Sequence, residues 1–179
     1  MSNYSMEMIL EYSQVFESNK DEGSDANNAA KKSQSMGGKY KVNAYFTSQE
    51  DLDRLKADGV KEVNLGHPRF KEGNSEYGIG IFMNLHRYHN DTKTFKDKKT
   101  KEVKELDFGG PPVVVDLTNG RENKRLWDVD VDGFLGNGTR ALVKFSTYSD
   151  GVGLRLDAIG VLELVPYAGK DSDEDDWDI

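Results

Sequence analysis

Apolar and polar residues alternate along four segments of the chain, covering residues 39–46, 79–88, 141–148 and 154–164. Alternation with a period of two is typical of half-buried β-strands. A short apolar run at residues 113–115 predicts a fifth, buried strand. The side chains expected to face inward in the first three segments are Tyr40, Val42, Ala44, Phe46, Ile79, Ile81, Met83, Leu85, Val143 and Phe145. The pattern therefore predicts an all-β domain.

The segment at residues 154–164 is the longest alternation. Its apolar face carries Leu154, Leu156, Ala158, Gly160, Leu162 and Leu164. At about 3.3 Å per residue such a strand is about 36 Å long, and the small residues in its middle predict the bend that a barrel requires. We therefore expect an OB-fold-like five-stranded barrel with extra strands.

Two further segments have helical features. Thr47 and Glu50 form a capping-box pattern, and the helix face of Leu52 and Leu55 ends at Gly59, which predicts one short α-helix. Near the N-terminus, a second set of apolar residues recurs at helical spacing. Its members are Met8, Ile9, Tyr12, Val15 and Phe16. This spacing predicts a short amphipathic helix there.

The composition divides the chain into three parts. Residues 18–38 are small and polar, which predicts a flexible linker, so residues 1–38 are expected to be an N-terminal arm. Residues 39–168 form the predicted barrel domain, and residues 169–179 form a disordered acidic tail. No stretch is long and apolar enough to span a membrane, and no signal peptide is recognisable, so we expect a soluble cytosolic protein.

The net charge is −8, but it is unevenly distributed. Residues 1–38 and 171–179 together carry 3 basic and 12 acidic residues, which leaves 21 basic and 20 acidic residues in the body. Within the body, residues 93–104 hold six lysines and two acids. The lysines are Lys93, Lys96, Lys98, Lys99, Lys101 and Lys104. Such a cluster between two strands is able to follow a phosphate backbone, although a lysine-rich hairpin is also a common solubilising loop.

Aromatic residues beside this cluster strengthen the nucleic-acid interpretation. Phe82, His86 and Tyr88 share the outward face of one predicted strand, and rings beside cations form the stacking platform that unpaired bases use. The alternative is that the N-terminal arm or a dimer contact covers these rings. The remaining candidate contacts are Arg87, Lys39, Lys41, Lys144 and Tyr148.

The C-terminal residues predict a partner-binding tail. Six carboxylates repel one another and must be solvated or bound to a basic surface, whereas the Trp and Ile among them suit a pocket. The tail residues are Asp171, Asp173, Glu174, Asp175, Asp176, Trp177, Asp178 and Ile179.

Enzymatic and metal-binding patterns are absent from the sequence, so we expect no catalytic residue, no cofactor and no metal. The chain has no cysteine and three histidines. Asp128, Asp130 and Asp132 begin like a calcium-binding loop, but Thr139 stands where that loop needs a glutamate. We expect this segment to be an edge strand with Trp127, Val129 and Val131 packed and the aspartates in water.

Three segments resemble the single-stranded DNA-binding proteins of T-seven-like short-tailed bacteriophages (podoviruses). They are KYKV at Lys39, FKDKKTKEVKEL at residues 95–106, and the final strand running into GKDSDEDDW. Between them, VVVDLTNG at Val113 and ALVKFSTY at Ala141 follow in the order found in the family. The similarity covers roughly residues 39–179; the tail here is shorter, it ends in Ile179 where the family type ends in phenylalanine, and residues 1–38 have no clear counterpart.

The resemblance implies an OB-fold barrel with a basic cleft for single-stranded DNA, contacted by Lys96, Lys98, Lys99 and Lys101. It also implies that the acidic tail binds the phage DNA polymerase and helicase-primase and competes with DNA for the cleft, with a homodimer as a further expectation. The protein would then act in replication, recombination and repair, in the cytoplasm of the infected bacterial host. Two rival hypotheses are a protein-binding module with an acidic tail and a calcium-dependent β-domain that uses the DVDVDG segment.

Overall fold

The structure, a computed structural model, describes residues 2–22, 36–64, 66–148 and 151–167. These residues are mostly β-structure, as predicted. The strands are β1 (Asn3–Gln14), β2 (Lys39–Phe46), β3 (Val63–Asn64), β4 (His67–Pro68), β5 (Lys71–Glu72), β6 (Ile81–Tyr88), β7 (Thr92–Lys96), β8 (Val103–Asp107), β9 (Val113–Asp116), β10 (Arg125–Leu126), β11 (Thr139–Tyr148) and β12 (Gly153–Glu163). The helices are α1 (Gln49–Ala57), α2 (Val129–Asp132) and two 3₁₀ turns, Glu17–Asn19 and Arg121–Asn123.

Eight strands form one curved sheet in the order β10-β9-β12-β11-β1-β2-β6-β5. Neighbouring strands are antiparallel except β9 and β12, which are parallel. Two further pairs, β3-β4 and β7-β8, stand apart from this sheet. Strands β12 and β6 approach each other, and Arg87 Nη1 donates to the Leu156 carbonyl at 3.0 Å. In the described residues, however, the ladder ends at β10 and β5 and does not close, so the predicted barrel closure is not observed.

The core lies inside the curve of this sheet. On β2 the inward residues are those expected from the alternation, and Met83, Leu85, Val143 and Phe145 are also fully buried. Each large apolar side chain that is fully buried stabilises the fold by about 1.5–3 kcal/mol. Tyr45 and Ser146, expected to point outward, are buried as well. Both faces of the sheet are therefore covered in places.

The N-terminal segment is a strand, and the predicted amphipathic helix is wrong. Strand β1 lies between β11 and β2 and pairs antiparallel with both. Its alternate residues Tyr4, Met6, Met8 and Leu10 are buried, which is the period of a strand. The domain therefore begins at Asn3 and not at residue 39. Residues 23–35 of the predicted linker lie outside the described residues.

Helix α1 confirms the predicted short helix. It begins after Ser48, whose Oγ accepts a hydrogen bond from the Asp51 backbone N–H at 3.3 Å, so the cap is one residue later than the sequence pattern indicated. Leu52 and Leu55 are buried against the core. Gly59 follows the helix in the left-handed region, with φ of 93°.

Strand β12 contains β-bulges that the alternation did not reveal. Phe145 pairs with Leu156, whereas the preceding Lys144 pairs with Ala158, so Asp157 is an extra residue. One extra residue reverses the inward and outward faces. Beyond the bulge, Ile159 and Val161 therefore enter the core in place of the predicted residues Ala158 and Leu162.

The DVDVDG segment folds as a helical turn, so the predicted edge strand is wrong. Asp128 caps α2 by accepting from the Asp130 backbone N–H at 3.1 Å. Both oxygens of Asp132 bind the Arg125 guanidinium at 2.8 Å, while Val131 is largely exposed. Within the described residues, no three metal-ligating groups stand close enough to hold a metal ion.

No helix in the described ranges combines the length and the apolarity needed to cross a membrane.

Candidate nucleic-acid interface

A cleft of about 430 Å³ lies where β6 ends, beside the β7-β8 hairpin. The end of β11 and the start of β12 form the opposite wall of the cleft. We call it the cationic cleft. Its lining residues are Met36, His86, Arg87, Tyr88, Asp91, Lys93, Phe95, Phe108, Tyr148, Leu154 and Arg155. Among the described residues, the lining therefore combines aromatic rings with three basic side chains and a single acid.

The rings and cations of the cleft contact one another. Lys93 Nζ stands 5.9 Å from the Phe108 ring centroid and 5.7 Å from that of Tyr148. The Arg155 guanidinium lies 5.2 Å from the Phe108 ring, and the Phe95 ring meets Phe108 edge to face at 6.3 Å. Cations over aromatic faces are favourable. The arrangement holds positive charge beside flat apolar surfaces.

The β7-β8 hairpin has two distinct faces. Lys93 pairs with Leu106 and Phe95 pairs with Lys104, and directly opposed residues of an antiparallel pair project on the same side. Since Lys93 and Phe95 line the cleft, Lys104 and Leu106 share the cleft-facing side. The other side carries Lys96 with its partner Val103, and also Glu105. The cluster of lysines is thus divided between two faces and the turn.

Three of the predicted DNA-contacting lysines, Lys98, Lys99 and Lys101, lie at the exposed tip of the hairpin. The Asp97 carboxylate builds this turn by accepting from the backbone N–H groups of Lys99 and Thr100, at 2.7 and 3.3 Å. These hydrogen bonds lower the pKa of Asp97. Lys101 adopts a left-handed backbone with φ of 59°. The tip lysines are therefore presented to solvent beyond the cleft wall.

Arg87 was predicted as a DNA contact, but it also holds the hairpin in place. It continues the inward face of β6 after Leu85. Its guanidinium donates to the carbonyls of Gly110, Leu156, Phe108 and Gly109 at 2.8, 3.0, 3.2 and 3.0 Å. Burial, and after it the nearby charge of Arg155, lowers the pKa of Arg87. The hydrogen bonds of the Arg87 guanidinium therefore connect the base of the β7-β8 hairpin to β12.

The base of the hairpin is also fixed by close backbone packing. Phe108 N–H donates to the Asp91 carbonyl at 2.8 Å and Gly110 N–H to the His89 carbonyl at 2.7 Å. A Cβ on Gly109 would stand 2.5 Å from the His89 oxygen, so no side chain fits there. The hairpin therefore has a fixed attachment to the cleft floor.

The bulge residue Asp157 connects the two arginines of the cleft. Its Oδ1 lies 3.1 Å from Arg155 Nε and 4.0 Å from Arg87 Nη1. Because Arg155 stacks on Phe108, the bulge that reverses β12 also positions a cation over the central ring of the cleft.

Several predicted contacts lie elsewhere. Phe82 is half-buried and packs on the ring of the buried Tyr45 at 5.0 Å, at the far end of β6. Lys41 forms an ion pair with Asp21 at 3.0 Å. Lys39 is half-buried, and its pKa is lowered by burial and then by Lys41. Lys144 is exposed on β11, and none of these four residues lines the cleft.

His86, Tyr88 and Tyr148 do line the cleft. The His86 and Tyr88 rings meet edge to face at 5.5 Å. Burial, and then the charge of Asp91, raises the pKa of Tyr88. Asp91, Phe95, Phe108 and Arg155 also line the cleft and were not among the contacts predicted from the sequence. Phe95 lies within the lysine cluster and was detectable there, whereas the position of Arg155 depends on how β12 packs against the rest of the fold.

The predicted partner-binding tail, residues 171–179, lies outside the described residues. A scan against models of known protein families gave no match, and a search of curated proteins found no significant relative.

Proposed function

We propose that this protein binds single-stranded DNA through the cationic cleft and the adjacent hairpin, without catalysing a reaction. The observation that supports this proposal is the contact of Lys93 with two rings, Phe108 and Tyr148, in a cleft that also holds Arg87 and Arg155. Bases stack on exposed rings while cations neutralise the phosphates between them. Cations also lie over the rings of Tyr4 and Phe70, but neither of these rings belongs to the lining of the cleft.

The same geometry favours single strands over duplex. Bases reach the cleft rings only when they are unstacked, and a paired duplex keeps its base faces covered. A protein that binds only the single strand shifts the melting equilibrium by mass action. It would coat transiently unpaired DNA and remove weak secondary structure.

The wider role that we propose follows the family resemblance of the sequence. The domain would be a variant of the OB-fold, and the protein would serve phage replication, recombination and repair in the cytoplasm of the infected host. The acidic residues 171–179 would recruit the phage DNA polymerase and helicase-primase, and a homodimer belongs to the same proposal. The curved sheet, with β6 close to β12, is compatible with an open relative of that barrel.

The test compares a fluorescent oligo-dT with a duplex of equal length by anisotropy. We expect binding of the single strand only, and a decline of log K with log salt at a slope near −3 if about four phosphates are neutralised at about −0.7 each. Lys93→Gln should make the slope shallower by about 0.7, whereas Arg140→Gln, on the outer face of β11, should not change it. Affinity for oligo-dT that is absent, or independent of salt, would refute the proposal.

A protein-binding module is a second candidate, favoured by a groove of about 560 Å³ at the other end of β11. We call it the neutral groove. It is lined by Tyr12, Ser13, Gln14, Asn19, Phe134, Leu135, Asn137, Val165, Pro166 and Tyr167, none of which is charged. Tyr12 and Tyr167 are both more than half exposed. Oligo-dT binding that survives Tyr12→Ala but not Lys93→Gln would favour DNA over this candidate.

A further inference from the structure

The cationic cleft contains one carboxylate, and its surroundings point to a contact with bases. Asp91 is half-buried and lines the cleft together with Arg87, Lys93 and Arg155. Within the described residues, its carboxylate makes no hydrogen bond and no ion pair. A half-buried carboxylate in a basic cleft that remains unpaired is available to a ligand.

The backbone around Asp91 is fixed. Its carbonyl accepts from Phe108 N–H at 2.8 Å, and the preceding Asn90 N–H donates to the Met36 carbonyl at 2.7 Å. On the hairpin side, a Cβ on Gly109 would stand 2.7 Å from the Asp91 nitrogen, so the two backbones touch. Because the Phe108 N–H is hydrogen-bonded to the Asp91 carbonyl, the backbones of these two lining residues stay adjacent.

The negative charge of Asp91 determines which part of a bound nucleotide can lie next to it. A phosphate beside it would be repelled, so the backbone must follow the cations and leave Asp91 to the bases. The negative charge of Asp91 acts on Tyr88 in the cleft wall, because it contributes to the raised pKa of Tyr88. A base stacked on a neighbouring ring presents its edge to this carboxylate.

We propose that Asp91 accepts a hydrogen bond from the exocyclic amino group of a base in the cationic cleft, and so favours cytosine, adenine and guanine over thymine. This inference rests on the proposed function. Carboxylates accept from the N4 amino group of cytosine, and single-stranded bases are recognised on their Watson–Crick edges. Thymine has no amino group, and its two carbonyl oxygens flank the single N–H and repel a carboxylate.

The experiment measures the affinities of the full chain for dC and dT oligomers of equal length at fixed salt, by fluorescence anisotropy. The readout is the dC-to-dT affinity ratio in the wild type, in Asp91→Asn and in the matched control Glu105→Gln. Glu105 is exposed on the hairpin face turned away from the cleft, so its replacement removes the same charge without changing the lining. Thermal melting of all three proteins verifies that they are folded.

We expect Asp91→Asn to lower the ratio by about five- to tenfold, corresponding to one base-edge contact. The Asn amide also donates to a thymine carbonyl, so affinity for dT should rise. Glu105→Gln should raise both affinities equally and leave the ratio unchanged. If Asp91→Asn also raises both affinities by the same factor, Asp91 only adjusts the charge and the inference is wrong. If the wild type binds neither oligomer, the proposed function fails with it.

Discussion

The two ends of strand β11 carry grooves of similar size with opposite chemistry. In the described residues, the cationic cleft at Tyr148 combines four phenyl or phenol rings with three basic side chains, whereas the neutral groove beside Asn137 has exposed rings and amides but no charged side chain. Ten residues at about 3.3 Å separate them by about 30 Å. Exposed rings alone therefore do not distinguish the two grooves. The cations beside the rings make the distinction.

The largest effect is expected from Arg87→Ala. Its side chain is only 13% exposed and donates to four carbonyls, and hydrogen bonds from a charged group contribute about 1.5–3 kcal/mol each without adding fully. We expect the free energy of unfolding to fall by about 3 kcal/mol or more, measured by urea denaturation. Single-stranded DNA binding should be lost as the hairpin separates from the cleft floor.

The matched control for this change is Arg140→Ala. Arg140 forms ion pairs with Glu7 and Glu163 on an exposed face, where such pairs contribute about 0–1 kcal/mol. Equal denaturation midpoints for the two variants would mean that Arg87 does not fasten the hairpin.

The next largest effect is expected from replacing an aromatic ring, and it should differ between the two ends of β11. Tyr148→Ala in the cationic cleft should weaken single-stranded DNA binding by about 1–3 kcal/mol, the value of one stacked base. Tyr12→Ala in the neutral groove removes a ring that is more exposed and should leave the affinity unchanged. Anisotropy titrations measure both. A similar loss in the two variants would show that the distinction between the grooves is false.

Tyr88→Ala adds a check on the same cleft. Its ring is half-buried, so one part of it packs in the cleft wall and the other part is open to a bound base. The melting temperature should change little while DNA affinity falls. Unfolding of this variant would instead assign the ring to the core.

Removal of residues 171–179 should give a smaller effect that depends on salt. The described chain leaves the neutral groove at Tyr167, and residues 168–179 extend at most about 40 Å at about 3.3–3.6 Å each. Their full extension exceeds the roughly 30 Å to their own cleft by only about 10 Å, so the cleft of a second copy is as plausible a target, and competition at that cleft should grow with protein concentration. Deletion should tighten DNA binding most at about 20 mM salt, where screening is weakest, and should abolish partner recruitment.

Two variants separate charge from apolar contact in that tail. Neutralising the six carboxylates while Trp177 is kept should reproduce the tighter DNA binding, and replacing Trp177 alone should not. Identical DNA affinity of the full and shortened chains at low salt would contradict competition.

The smallest effect concerns an ion pair that lines neither groove. Arg125 lowers the pKa of Asp132 from 3.8 to about 2 through paired hydrogen bonds. Because the folded pKa is depressed, this contact stabilises the fold above about pH 4 and is lost as the pH falls toward 2. The melting temperatures of wild type and Asp132→Asn should differ at neutral pH and converge near pH 2. DNA affinity at neutral pH should be equal in the two proteins.

The local pattern of the sequence was sufficient for the elements whose side chains alternate without interruption. β2, the core of β6 and helix α1 were predicted with nearly correct bounds, because burial of one face imposes a period of two or 3.6. The N-terminal segment was misread since its apolar residues fit both periods. Pairing with β11 on one side and β2 on the other is what makes this segment a strand and not a helix.

For the candidate site, the sequence indicated the kinds of side chain involved but not which residues line the cleft. The lysine cluster and the aromatic residues of β6 indicated cations beside rings, and Tyr88, His86 and Lys93 do lie in the cleft. Tertiary structure decided the rest. The bulge at Asp157 reverses β12, and the Asp157 carboxylate accepts from Arg155, which lies over Phe108, while Phe82 packs on Tyr45 outside the cleft. Bulges and cross-strand covering depend on contacts between distant segments, which the order of residues along one strand does not encode.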